Sequence, residues 1–213
     1  KKRVLSMLMA LALCLTLLPV SPAWAEETEN NIAVQANTAN VAEVTIDGKT
    51  TQYTNIVDAF DAAQGAESAT VKLLTDVTIP KNADGYSYGI RLKKGNITLD
   101  LNGCTIQTTG GESGFLPLYA VFYIENGSSL TVQDSGNDGK IVQPNGGQAI
   151  HVGSNGTLTV ESGAIEVTSN DESSSSYITT QNCAIFLNGG GTANILGGTL
   201  TGKQGIYVKN GTL

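Results

Sequence analysis

Residues 149–160 read Ala149-Ile150-His151-Val152-Gly153-Ser154-Asn155-Gly156-Thr157-Leu158-Thr159-Val160. Two short apolar runs each enclose one polar or ring residue: Ile150 and Val152 flank His151, and Leu158 and Val160 flank Thr159. Alternation with period two marks a strand with one buried face. Gly, Ser and Asn between the runs are turn residues. The same phrase recurs over residues 89–99, 121–132 and 184–195, and opens again at Gly205-Ile206-Tyr207-Val208. A third piece follows three of the copies: Gly139-Lys140-Ile141, Gly163-Ala164-Ile165 and Gly198-Thr199-Leu200. Counted from Ile90, Phe122, Ile150, Ile185 and Ile206, the steps are 32, 28, 35 and 21 residues. Periods of roughly 20–50 residues belong to solenoids, propellers and arrays. A propeller blade needs about 40–45 residues, so these copies are too short and too uneven for one. The shortest step is near the bare length of a three-sided coil. The longer steps need only insertions, visible over residues 107–118 and 169–182, the second carrying Ser173-Ser174-Ser175-Ser176. The spacing predicts an all-β chain, a right-handed, single-stranded parallel β-helix over residues 81–213. An irregular β-sandwich is the alternative.

The segment before the repeat reads as its N-terminal cap, residues 43–80. Val44-Thr45-Ile46 and Asp47-Gly48 give a strand and a turn. A helix follows, with Asn55 as N-cap and Asp58 three residues on. Ile56, Ala59, Phe60 and Ala63 form one apolar stripe, Asp58, Asp61 and Gln64 take the other side, and Gly65 ends it. Val71, Leu73, Val77 and Ile79 alternate as strands. A solenoid exposes the end of its core and open strand edges, so Ile56, Val57 and Phe60 are expected to close that end.

Residues 1–25 have the layout of a secretory signal peptide. Lys1, Lys2 and Arg3 precede an apolar stretch from Val4 to Val20, and Ala23-Trp24-Ala25 supplies the cleavage site after Ala25. The mature protein is therefore expected to be secreted or at the cell surface, with no membrane span and a polar leader over residues 26–42. Cleavage removes three cations and no anions, taking the net charge from −7 to −10. The repeat breaks off at Gly211-Thr212-Leu213, which raises the expectation of further domains downstream.

Composition agrees. The 213 residues include 25 Gly and only 15% charged residues, against an average of about 25%. That excludes a coiled coil or helix bundle, and there is no Gly-X-Y period for collagen. At 40% hydrophobic the chain is too apolar for simple disorder. The acidic balance argues against a nucleic-acid partner, which needs a basic face.

At this point the chain resembles the pectate-lyase-like superfamily of right-handed β-helices. More narrowly, it is similar to secreted, repetitive surface proteins of Gram-positive bacteria. The likeness rests on the Ala-rich helix at residues 56–63 and the strand at residues 70–74. It rests also on Ile97-Thr98-Leu99-Asp100-Leu101-Asn102-Gly103 and on Gly197-Gly198-Thr199-Leu200. It covers roughly residues 44–213 and is specific for fold rather than function. It implies either a polysaccharide lyase or hydrolase, or an adhesin or glycan-binding module.

The residues themselves favour the second. In each phrase the middle residue of the first triplet points outward. These are Arg91, Tyr123, His151, Phe186 and Tyr207: four rings and a guanidinium in one column. Such a strip offers sugar rings a platform, and Arg91 offers a carboxylate a partner. The competing reading is a ladder held by ring-on-ring packing. The next outward column, Thr98, Thr131, Thr159 and Asn194, reads as plain strand surface. The one after it carries Asp100 and Glu161 with Gln133 between, a weak match to a hydrolase pair. Asp134-Ser135-Gly136-Asn137-Asp138-Gly139 offers oxygens for Ca²⁺ at Asp134 and Asp138, but lacks EF-hand spacing and reads first as a turn. Of the superfamily's catalytic signatures, Asn-Thr-Asp and Gly-His-Gly are missing from this sequence, Arg-x-Lys occurs only as Arg91-Leu92-Lys93 without them, and His151 is the only histidine. No catalytic residue is assigned. Cys104 and Cys183 fall at least two coils apart, so both are expected to be free thiols. Asn-x-Ser/Thr occurs at Asn96, Asn126, Asn155 and Asn210, all placed in the same turn and read as turn chemistry. The expected function is a non-catalytic exported module, adhesin-like or binding an extracellular polysaccharide or cell-surface glycan. The alternatives are a lyase or hydrolase, and a structural spacer.

Overall fold

The computed structural model describes residues 39–79, 88–109, 120–144, 146–153, 155–168 and 182–213. Ala25 and the signal segment, and nearly all of the leader, lie outside the described residues. The described part of the chain opens with a hairpin of β1 (Ala42–Ile46) and β2 (Lys49–Tyr53). Asp47 (φ 50°) and Gly48 (φ 77°) form its turn. Two successive positive φ values give the hairpin turn whose twist matches the flanking strands. The return strand β2 was not expected from its sequence, which shows no apolar alternation.

The helix α1 (Ile56–Gln64) follows. Asn55 Oδ1 accepts from the N–H of Val57 at 2.8 Å, which satisfies one of the first-turn donors. Ile56, Ala59, Phe60 and Ala63 are buried, as the stripe requires. Two details differ from expectation. Gln64 is buried rather than solvent-facing, because its Oε1 accepts from the N–H of Lys93 at 2.8 Å. Gly65 ends the helix in the right-handed region (φ −70°), so its role there is not a left-handed cap.

After β3 (Ser68–Leu73) the strands come in threes. These are β4 (Val77–Ile79), β5 (Tyr88–Leu92) and β6 (Asn96–Asp100); then β7 (Thr105–Thr108), β8 (Ala120–Ile124) and β9 (Ser129–Gln133); then β10 (Lys140–Pro144), β11 (Gln148–Val152) and β12 (Thr157–Val160). The last six are β13 (Ala164–Thr168), β14 (Cys183–Leu187), β15 (Gly191–Ile195), β16 (Thr199–Thr201), β17 (Gln204–Val208) and β18 (Gly211–Thr212). The chain visits three sheets in fixed rotation. A long sheet runs β18-β15-β12-β9-β6-β3-β1-β2, a second runs β16-β13-β10-β7-β4, and a third runs β17-β14-β11-β8-β5. Every pairing past the β1–β2 and β1–β3 contacts is parallel. Among the described residues the fold is thus all-β with parallel sheets and one short helix.

The register matches the repeat residue for residue. Ile90, Phe122, Ile150, Ile185 and Ile206 are successive partners, as are Thr98, Thr131, Thr159 and Asn194. Inward residues of all three sheets share one core, in which Leu99, Ile106, Phe122, Leu130 and Ile141 are fully buried. α1 lies against β1 and β3, and Phe60 stacks toward Phe122 with ring centroids 5.4 Å apart. Five connections lead from the second sheet to the third, with lengths of 8, 11, 3, 14 and 2 residues. All other links between successive strands past β3 have 2 to 6 residues, so the uneven repeat period is generated at this one corner. The 107–118 insertion starts later than expected, because Gln107 and Thr108 belong to β7. Among the described residues, no helix is long and apolar enough to cross a membrane.

Candidate functional site

The third sheet carries the rings. Arg91, Tyr123, His151, Phe186 and Tyr207 are successive register partners on β5, β8, β11, β14 and β17. Their flanking residues Ile90, Leu92, Phe122, Ile124, Ile150, Val152, Ile185 and Leu187 are buried, so the alternation turns the column away from the core. Tyr123 and His151 have centroids 4.6 Å apart, His151 and Phe186 4.7 Å, and Phe186 and Tyr207 5.5 Å with the planes within 9°. Tyr88 joins them, stacked on Tyr123 at 4.5 Å and edge-on to His151 at 5.9 Å. Tyr88 was missed in the sequence because it lies three residues before Arg91, outside the repeated phrase.

The Arg91 guanidinium stands 5.4 Å from the Tyr123 centroid, a cation–π distance. It is also bonded to Glu125: Nε donates to Oε1 at 3.1 Å, and a second nitrogen of the fork reaches the same oxygen. Arg91 is therefore not a bare cation awaiting a carboxylate. Glu125 was a second omission. Its only sequence signal is a separation from Arg91 of 34 residues, close to one repeat step. Burial among the rings pulls the pKa of His151 down to about 4, so its imidazole is neutral at pH 7 and presents an uncharged face. Phe186 is only 4% exposed, while Tyr123, His151 and Tyr207 are half-buried. The column is thus continuous, but its surface is offered mainly at Tyr123, His151 and Tyr207.

The carboxylates go elsewhere. Asp100 is buried, and its Oδ1 accepts from the N–H groups of Asn102 (3.0 Å) and Ser135 (2.9 Å). Glu161 is exposed. The Asp100–Glu161 pairing expected as a weak hydrolase match therefore joins a turn-locked carboxylate to a solvated one. Asp134 takes the N–H groups of Gly103 (2.7 Å) and Gly136 (3.2 Å) on Oδ1 and that of Gly139 (2.9 Å) on Oδ2. Asp138 is exposed with φ 66°. The two Ca²⁺ candidates are thus a turn brace and a left-handed turn residue. Among the described residues, no three His, Cys, Asp or Glu side chains gather as a metal-holding group.

Cys104 and Cys183 are free thiols. Burial raises the pKa of Cys183 to about 12. Burial and the neighbouring Asp76, Asp134 and Asp100 carboxylates raise that of Cys104. Neither is a reactive thiolate. Of the four Asn-x-Ser/Thr sites, Asn126 (φ 56°) and Asn155 (φ 62°) adopt the expected left-handed turn. Asn96 instead begins β6.

No family model, curated protein or solved structure matches this chain.

Proposed function

We propose that the three sheets are the faces of a right-handed parallel β-helix capped by α1. On this reading the chain is a non-catalytic exported surface module, adhesin-like or glycan-binding. The observation that carries it is the unbroken column of rings from Tyr88 to Tyr207 on the outside of one sheet. Flat, weakly polar rings match the apolar C–H faces of sugars, and a linear column matches a linear polymer. Parallel strands stack about 4.8 Å apart, so the column samples one polymer chain along its length. The connections that vary most in length run into this same sheet.

A second reading, a structural spacer, is favoured by the burial of Phe186. Ring pairs of this kind stabilise by about 0.5–1.5 kcal/mol each beyond their buried area. A glycan array separates the two. The glycan reading expects binding by the mature protein and loss of about tenfold or more in Tyr123→Ala and Tyr207→Ala, both folded. Unchanged binding in both variants would sink the strip as the site.

A further inference from the structure

Beside the column, between α1 and β5, lies a half-open cavity of about 430 Å³. That falls within the range of roughly 300–1,000 Å³ usual for small-ligand sites. Phe60, Asp61 and Gln64 form the helix side, and Arg91, Lys93 and Lys94 form the strand side. The chain has only 12 cationic residues and a net charge of −7, yet three of the 12 line this one cavity. Glu125 neutralises Arg91 and Asp61 faces the two lysines, so the local surplus is one positive charge, carried by Lys93 and Lys94. Lys93 and Lys94 are exposed, and among the described residues neither is in an ion pair. The strand side is fixed to the helix side, because Gln64 Oε1 holds the N–H of Lys93. Arg91 belongs to both the cavity and the ring column, so the two surfaces are continuous.

We propose that the ligand of the ring column is an acidic glycan, with one of its anionic groups held in this cavity by Lys93 and Lys94. The proposal rests on the glycan reading above and adds a charge class and a second contact point to it. Continuity with the ring column, through Arg91 beside Tyr123, favours a glycan over a bare ion or an acidic peptide. An overall acidic surface repels polyanions, so anion binding is confined to where the local charge reverses. Carboxylate and sulfate groups share the required chemistry.

The test uses matched polymers: dextran and cellulose, their carboxymethyl forms, dextran sulfate, and poly-glutamate as the peptide control. Retention is compared for the mature protein, the Lys93→Ala/Lys94→Ala double variant and Tyr123→Ala. The wild type is expected to bind an acidic form about tenfold more tightly than its neutral parent, more so at low salt. The carboxymethyl and sulfate arms tell which anion is preferred. The lysine variant, whose substitutions are exposed and should leave the melting temperature unchanged, should lose that preference and keep the neutral-glycan binding. Tyr123→Ala should lose both. Equal binding of neutral and acidic forms, or an unchanged lysine variant, would overturn the acidic ligand while leaving the ring column standing. Binding to poly-glutamate alone, or to no polymer, would overturn it together with the glycan reading.

Discussion

Replacing Phe122 by Ala is expected to destabilise the protein by about 3–5 kcal/mol, the range for truncating a buried aromatic ring. Phe122 is fully buried on β8, one strand in from the β5 edge of the third sheet, between register partners Ile90 and Ile150. It also meets Phe60 of α1 at 5.4 Å. Its loss would open a cavity at the point where the helix, the third sheet and the core converge. Small domains have only about 5–15 kcal/mol of total stability, so the variant should unfold at much lower denaturant. Urea titration would show a large fall in midpoint at similar slope. Phe122→Leu, which keeps most of the volume, should cost less than about 1.5 kcal/mol. A Phe122→Ala cost below 1 kcal/mol would mean that α1 does not close this core.

The second large effect is expected at Asp134. Its carboxylate receives three backbone N–H groups from Gly103, Gly136 and Gly139, tying the corner after β9 to the corner after β6. The corner is tight: a Cβ on Gly136 would stand 2.4 Å from the backbone nitrogen of Gly103. Neither a side chain nor a shift of the backbone readily replaces the lost acceptor. Hydrogen bonds to a charged group contribute about 1.5–3 kcal/mol each, with some loss to solvent at this half-buried site. Asp134→Ala should therefore cost about 3 kcal/mol or more, and Asp134→Asn, which keeps one acceptor oxygen, distinctly less. Because the carboxylate braces the turn, the cost should be the same with calcium or with a chelator. A cost that appears only when calcium is present would restore the metal reading of Asp134 and Asp138.

Much of this molecule was legible in the sequence, for a physical reason. In a short strand with one buried face, identity alternates with period two, so Ile150-His151-Val152 states which residue faces out. When the phrase repeats, the outward residues must align, and the column from Arg91 to Tyr207 follows without coordinates. What stayed hidden depended on contacts that alternation does not encode. β2 is held by backbone pairing to β1, and its Lys49-Thr50-Thr51-Gln52-Tyr53 is almost wholly exposed, so no apolar signal marks it. Tyr88 enters the column by stacking diagonally on Tyr123 rather than by register, since its partner on β8 is Ala120. Asp100 and Asp134 looked available because a carboxylate in a Gly/Asn/Ser turn reads alike whether it faces solvent or braces another corner. Only the approach of corners 31 and 35 residues apart shows that they brace. Glu125 was hidden likewise, since an ion pair across one repeat step needs the step to be known first.

Each strand from β3 to β15 pairs in register with the one three strands further along, and this pairing aligns the outward columns. The most direct test is a disulfide between register partners. Thr131 and Thr159 are partners on β9 and β12 and lie on the outer face. Their Cα atoms should be about 4.8 Å apart, within the roughly 4.4–6.8 Å that a disulfide spans. Thr131→Cys/Thr159→Cys should form this bond on mild oxidation, as located by peptide mapping. The offset pair Thr131→Cys/Thr157→Cys should not, because Thr157 is the partner of Ser129. A bond in the offset pair but not in the register pair would contradict the strand register, and with it the ring column on which the functional reading stands.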